Sequence, residues 1–209
     1  MKQMLFLLLA TILVLPVSLA DGLALTEVDV HVEYDDAYTY RLEGRKRPDS
    51  GTVFNNSRID VDILPGSNVT FTLRIENTFH GDSPTIREIF ATITIEEIDD
   101  GDDLEERSVN FDLEPGNEDR VDVKFDIPPN VDEGTYDVKI EVEGQGKNDT
   151  SFLTRLNSKL EVKKQSHDIR ITNVALIPTL VECDRKAMIQ AEIMNLGSNR
   201  EPQVVLEFR

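Results

Sequence analysis

The chain has 209 residues, 40 of them acidic against 22 basic, for a net charge of −18. Such a surplus repels polyanions, whose binding depends on Lys and Arg neutralising phosphates, and excludes nucleic acid as a partner. With Cys183 as the single cysteine and no tryptophan, no intramolecular disulfide can form, and packing alone has to stabilise the fold.

Residues 1–20 have the order of a secretory leader. Lys2 supplies the positive start, Met4 to Leu15 the apolar stretch, Pro16 the break, and Ser18-Leu19-Ala20 the small residues before a cut after Ala20. The apolar run is shorter than the roughly 20 residues a spanning helix needs, and no second run follows, so no transmembrane span is expected in the mature fragment. Cleavage removes one lysine, which leaves 21 basic against 40 acidic residues and a net charge of −19. The expected location is the outside of the cell.

From Asp21 onward, apolar residues alternate with polar ones in short segments separated by turn residues, the pattern of an all-β sandwich. Val28, Val30 and Val32 open the series. A polar loop with Arg45-Lys46-Arg47-Pro48 and Asn55-Asn56 leads to Ile59, Val61 and Ile63, and Leu64-Pro65-Gly66-Ser67 turns the chain into Val69, Phe71, Leu73, Ile75 and Asn77. Ile89, Ala91, Ile93 and Ile95 make the next strand, ended by Asp99-Asp100-Gly101-Asp102-Asp103. Val109, Phe111 and Leu113 run into Glu114-Pro115-Gly116-Asn117, whose Pro-Gly pair presets a tight turn. Val121, Val123, Phe125 and Ile127 stop at Pro128-Pro129, where ladder donors are missing. Tyr136, Val138, Ile140 and Val142 follow, and Leu160 with Val162 closes a first module over residues 21–164. No segment keeps helical spacing for three turns, so helix content is expected to be very low.

A second module starts after Lys163-Lys164-Gln165-Ser166 and occupies residues 165–209. Ile169, Ile171 and Val174 give its first strand and Pro178 turns the chain. Ala187, Ile189, Ala191, Ile193 and Asn195 then repeat, 118 positions on, the phrase that begins at Val69. Gln203 to Phe208 is expected to begin a third strand. The 43 residues from His167 offer about three strands, below what an independent sandwich needs, so the expectation is tandem immunoglobulin-like β-sandwiches with the second incomplete and the chain part of a longer protein.

Asp132-Glu133-Gly134-Thr135-Tyr136-Asp137-Val138 resembles the Asp-x-Gly-x-Tyr-x-Cys approach to strand F of immunoglobulin-like domains, with Val138 where the cysteine would stand. In those domains the tyrosine hydroxyl bonds back to the upstream backbone and pins a corner. The run Pro65 to Asn77, the Pro115-Gly116 turn and Gly134-Thr135-Tyr136 together resemble surface-layer-type and galactosidase-associated β-sandwich domains. The acidic passage Ile95 to Glu106 and Val142-Glu143-Gly144 look like archaeal S-layer-type proteins, while Asp168-Ile169 through Pro178 to Asn195-Leu196-Gly197 is similar to the opening of a CARDB-type adhesion module. These resemblances imply fold and surface location, and they carry over no catalytic residue.

Asp99, Asp100, Asp102 and Asp103, with Glu105 and Glu106, crowd what reads as one loop. Hard cations such as calcium take oxygen ligands of this kind, but the spacing does not match an EF-hand loop, and a solvated hairpin tip is the plainer reading. No other cofactor is indicated. Asn55-Asn56-Ser57, Asn68-Val69-Thr70 and Asn148-Asp149-Thr150 are glycosylation sequons, with Asn55 and Asn148 in loops and Asn68 at the start of a strand. His31, His80 and His167 are scattered and read as surface residues.

The functional expectation is a non-catalytic, exported cell-surface component of structural or adhesive type. Its partners would be other surface proteins, copies of itself, or glycans. The alternative is an accessory or carbohydrate-associated module of a larger secreted enzyme such as a glycosidase. Exposed aromatics in a row would favour carbohydrate binding, and aromatics here are few.

Overall fold

A computed structural model describes residues 22–34, 49–81, 83–177 and 188–206. The leader 1–20, Arg45 to Pro48, Pro178, Cys183 and Ala187 lie outside the described residues. Among the described residues twelve strands follow one another: β1 Leu23–Tyr34, β2 Asp49–Thr52, β3 Ser57–Arg58, β4 Ser67–Asn77, β5 Ile86–Asp99, β6 Asp102–Arg107, β7 Phe111–Leu113, β8 Glu118–Asp126, β9 Gly134–Gln145, β10 Ser151–Val162, β11 Ile169–Ile177 and β12 Met188–Asn195. One short 3-10 turn, Lys147–Asp149, joins β9 to β10. Among the described residues no helix is long and apolar enough to cross a membrane.

Two sheets face each other in the first module. One has the order β2-β1-β4-β8; the other runs β3-β10-β9-β5-β6, with β7 also paired to β5. The central pairs are antiparallel, and β3 lies parallel to β10. This neighbour order, with consecutive strands crossing between sheets, is the immunoglobulin-type layout. The alternating residues fall on the inner faces: Val28, Val30 and Val32 from β1, Val69 to Ile75 from β4, Ile89 to Ile95 from β5, and Val138 to Val142 from β9 are all buried. Phe71 and Phe125 meet edge to face at 5.8 Å in the middle. Thr154 Oγ1 of β10 donates to Leu23 O of β1 at 2.7 Å, a buried hydrogen bond from one sheet to the other. Gly144, buried on β9, makes room for side chains of the neighbouring strand β5, since a Cβ there would lie 2.8 Å from Ile86 Cγ2 and 3.0 Å from Ile89 Cγ1.

Four expectations need correction. The acidic stretch after Asp99 is not a loop, because Asp102–Arg107 forms β6 and pairs with β5. Asp100 and Gly101 both have positive φ (53° and 94°) and make the tight hairpin that Asp-Gly favours, so the charges continue along an edge strand. Ile59, Val61 and Ile63 are buried as expected, yet beyond Arg58 they form no strand and meet β10 through the Ile59 N–H on Lys159 O at 2.8 Å and a bridge from Ile63 to Val162. Val109 is 79% exposed; Ser108 takes the inward position, its Oγ accepting the Ala91 N–H at 2.9 Å. Residues 203–206 carry no strand.

The second unit is the antiparallel pair β11–β12. A bulge between Ile171 and Asn173 absorbs one residue, so Ile171, Val174 and Leu176 share a face with Ile193, Ala191 and Ile189. Val174, Leu176, Ile189 and Ile193 are between 39% and 52% exposed.

Candidate functional site: the module junction and the charged outer faces

The asparagine that closes the repeated phrase has the same task in both copies. Asn77 Oδ1 accepts the Phe79 N–H at 3.1 Å while Nδ2 donates to Leu113 O at 2.9 Å. Asn195 Oδ1 accepts the Gly197 N–H at 3.0 Å while Nδ2 donates to Asn199 O at 2.7 Å. A carboxamide can take an N–H two residues on and still hold a carbonyl across the turn, which ends a strand and fixes the departing chain in one step. Asn77 is fully buried and Asn195 is exposed.

The junction between the units is built on the turn Leu64–Ser67. Ser67 N–H and Oγ both donate to Leu64 O, at 3.2 and 2.8 Å, and Gly66 has φ +69°. A Cβ at Gly66 would stand 3.4 Å from Arg170 Nη1 and 3.9 Å from Leu196 Cδ1 and Pro129 Cβ. Arg170 and Leu196 of the second unit therefore rest on a corner of the first. Asp168, whose side chain is 2% exposed, receives Arg170 Nε at 3.3 Å and Nη2 at 3.1 Å, while its backbone carbonyl accepts the Leu196 and Gly197 N–H groups. Burying two charges is tolerable only when they are paired and hydrogen-bonded, as here. On the connecting segment, Lys163 N–H donates to Ile63 O at 2.8 Å and Lys164 pairs with Asp132 at 3.3 Å.

Both outer faces of the sandwich are polar and of mixed sign. Across the larger sheet, Lys159 pairs with Asp137 at 2.9 Å, Arg58 with Glu161 at 2.6 Å, Arg155 with Glu141 and Lys139 with Glu96. Arg107 lies 3.3 Å over the Phe90 ring. On the smaller sheet, Thr72 and Thr52 hydroxyls donate to Asp122 and Asp29, and Arg74 pairs with Glu27 at 3.1 Å. Exposed pairs of this kind add little stability each, about 0–1 kcal/mol; they set the character of the face. Tyr34, at the end of β1, donates its hydroxyl to Asp62 O at 2.6 Å, and burial together with the nearby Asp49 and Asp62 carboxylates pushes its pKa up to about 12.

The acidic residues singled out in sequence are engaged separately. Asp100 Oδ2 accepts from Asn130 at 3.0 Å, Asp103 Oδ1 accepts the Glu97 N–H at 2.9 Å, and Asp99 stands opposite Asp102 in the hairpin. Glu97 has φ +57° at a bulge, and Glu88, φ +51°, repeats the arrangement with its N–H on Asp112 at 2.9 Å. Among the described residues no three His, Cys, Asp or Glu side chains are grouped so that they could hold a metal ion. Asn55, Asn68 and Asn148 are all exposed. His31 faces outward beside Glu33 at 3.4 Å, and His167 meets Glu201 at 2.6 Å. The Asp168–Arg170 pair was missed in sequence, where its one signal was a charged pair two residues apart flanking the first apolar residue of the module.

No family model matches the chain, and no curated protein matches it. Solved structures with a similar arrangement include the C-terminal domain of wzt (TM-score 0.42, 14% identity, covering 70% of this chain and 76% of that one). A family 123 glycoside hydrolase from Clostridium perfringens aligns with TM-score 0.37 and 13% identity over 65% of this chain, which spans 27% of the hydrolase. The human CEP192 ASH/PapD-like domain aligns with TM-score 0.35 and 16% identity, over 75% of this chain and 96% of that domain. Similarities at this level carry no conclusion about this chain. Its own sheet order makes it an all-β protein of the immunoglobulin-like sandwich class.

Proposed function

We propose that this chain is a non-catalytic, exported cell-surface protein in which β-sandwich units are joined into a structural or adhesive array. The observation that supports the reading best is the junction. Arg170 and Leu196 rest on the Gly66 turn, and a buried Asp168–Arg170 pair holds the start of the second unit. A docked joint transmits orientation from one sandwich to the next, which a load-bearing or adhesive array requires and a free linker does not supply. The mixed-sign outer faces suit a rod that meets water and polar partners along its length. Partners in this reading are other surface proteins, copies of the chain, or glycans. The test is reassociation: purified protein is added to cell envelopes stripped of their surface proteins and sedimented. Saturable binding that survives 150 mM salt is expected, and protein left in the supernatant at every concentration contradicts the proposal.

A further inference from the structure

Phe54 is 65% exposed, the one aromatic among the large hydrophobic side chains that the described residues leave open to water. It opens the turn Phe54–Ser57 between β2 and β3, where Ser57 N–H and Oγ both donate to Phe54 O, at 3.3 and 2.8 Å, and Asn56 has φ +56°. Asn55 lies inside this turn. Its Oδ1 accepts the Asn157 N–H of β10 at 3.1 Å, a bond that uses the oxygen end of the carboxamide. Among the described residues nothing accepts a hydrogen bond from Nδ2. The residue is exposed, its carboxamide is fixed by the oxygen, its nitrogen is unengaged, and an uncovered aromatic ring is its chain neighbour.

We propose that Asn55 is the glycan acceptor of this chain, carrying an N-linked sugar whose first ring lies against Phe54. The inference rests on the export reading, since the sugar donor is met outside the cytoplasm. In the transfer, Asn55 Nδ2 bonds to the anomeric carbon of an oligosaccharide carried on a polyprenyl phosphate. The bond from that carbon to the phosphate oxygen breaks, the lipid phosphate leaves with the electron pair, and Nδ2 loses one proton; no oxidant or reductant is needed. The apolar C–H face of a pyranose covers an aromatic face well, because its hydrogens meet the negative face of the ring and both surfaces leave water. That accounts for an exposed phenylalanine which the core does not use.

The other two sequons lack this combination. Asn68 is held in the ladder of β4 directly opposite Glu33 and Asp126, so a sugar there would sit between two carboxylates and neither opposed residue is aromatic. Asn148 occupies a left-handed position, φ +61°. The aromatic ring nearest to it in the chain, Phe152, is spent on Phe79 at 5.6 Å and on the close approach of Gly146.

The test uses the full chain with its leader in a secretory host that transfers glycans from polyprenyl carriers. Glycopeptide mass spectrometry of the exported protein is expected to find a sugar on Asn55, absent in N55Q and in S57A. The second variant removes the sequon hydroxyl while keeping the Asn55–Asn157 bond, and so guards against a folding defect in the first. Amidase removal of the sugar is expected to lower the Tm of the wild type by about 2–4 °C and that of Phe54→Ala by less than half as much. A protein that begins at Asp21 and carries unmodified Asn55 overturns the proposal, and an equal Tm change in Phe54→Ala overturns the stacking. A chain that retains residues 1–20 counts against the export reading instead, and repeating the measurement behind a heterologous leader then decides Asn55.

Discussion

Replacing each strand-ending asparagine by alanine separates burial from bond count, because Asn77 and Asn195 make the same two hydrogen bonds in different surroundings. Asn77 is 0% exposed, and its partner carbonyl belongs to Leu113, itself 4% exposed. Asn77→Ala leaves the buried Leu113 carbonyl short of a partner, at about 1–3 kcal/mol, and the part-buried Phe79 N–H as well, at about 1 kcal/mol, for about 2–4 kcal/mol together. With a urea dependence of about 2 kcal/mol per molar, the unfolding midpoint of the first module should fall by about 1–2 M. At Asn195 water replaces the lost partners, and the cost should be about 0.5–1 kcal/mol. That is read as a two- to fivefold rise in hydrogen exchange at Leu196 and Gly197, with the main urea transition unmoved. Equal losses at the two sites, or a midpoint shift below about 0.3 M for Asn77→Ala, would refute the reasoning that burial decides what this repeated device is worth.

Tyr136 donates its hydroxyl to Asp132 O at 2.9 Å in a solvent-exposed bond, so Tyr136→Phe should cost about 0.5–1 kcal/mol in chemical denaturation and leave the fold intact. Asp103→Asn keeps the acceptor for the Glu97 N–H and should be neutral, whereas Asp103→Ala should destabilise by about 1 kcal/mol; the same denaturation series checks both. Glu97→Gly relieves a left-handed residue, worth about 1–2 kcal/mol, against a comparable loss of unfolded-chain restraint, so its midpoint should stay within about 0.5 kcal/mol of wild type or rise. Tyr34 holds its proton more tightly when folded, with a pKa of about 12 against 10.0 unfolded. Its contribution is therefore complete below pH 10 and lost as pH climbs toward 12, by about 1 kcal/mol after allowance for solvent at a partly exposed ring. Tyr34→Phe should remove that part of the alkaline decline.

Where side chains alternate between core and water, the chain could be read directly. The rows Val28 to Val32, Val69 to Ile75, Ile89 to Ile95 and Tyr136 to Val142 each fell on a strand of the sandwich, and Tyr136 makes the corner bond that its neighbours in sequence suggested. Period-2 alternation failed where burial and pairing part company. Ile59, Val61 and Ile63 bury their side chains while the backbone runs along the edge of β10 with few ladder bonds. β6 was invisible for the opposite reason, since an edge strand with only Leu104 half-buried and charges on both faces has no hydrophobic period. The Asp168–Arg170 pair looks in sequence like any surface charge pair, because its burial is created by Leu196 and by the arrangement around the Gly66 turn. The same holds for Phe54, whose exposure depends on the turn it opens.

The central claim, an exported cell-surface protein, is tested most directly by the mature N-terminus of the chain recovered from intact cells treated with an impermeant amine-reactive label. The account predicts a protein that begins at Asp21 and bears the label on lysines of the outer sheet face, such as Lys159. A chain that begins at Met1 and is labelled only after the cells are broken would contradict it.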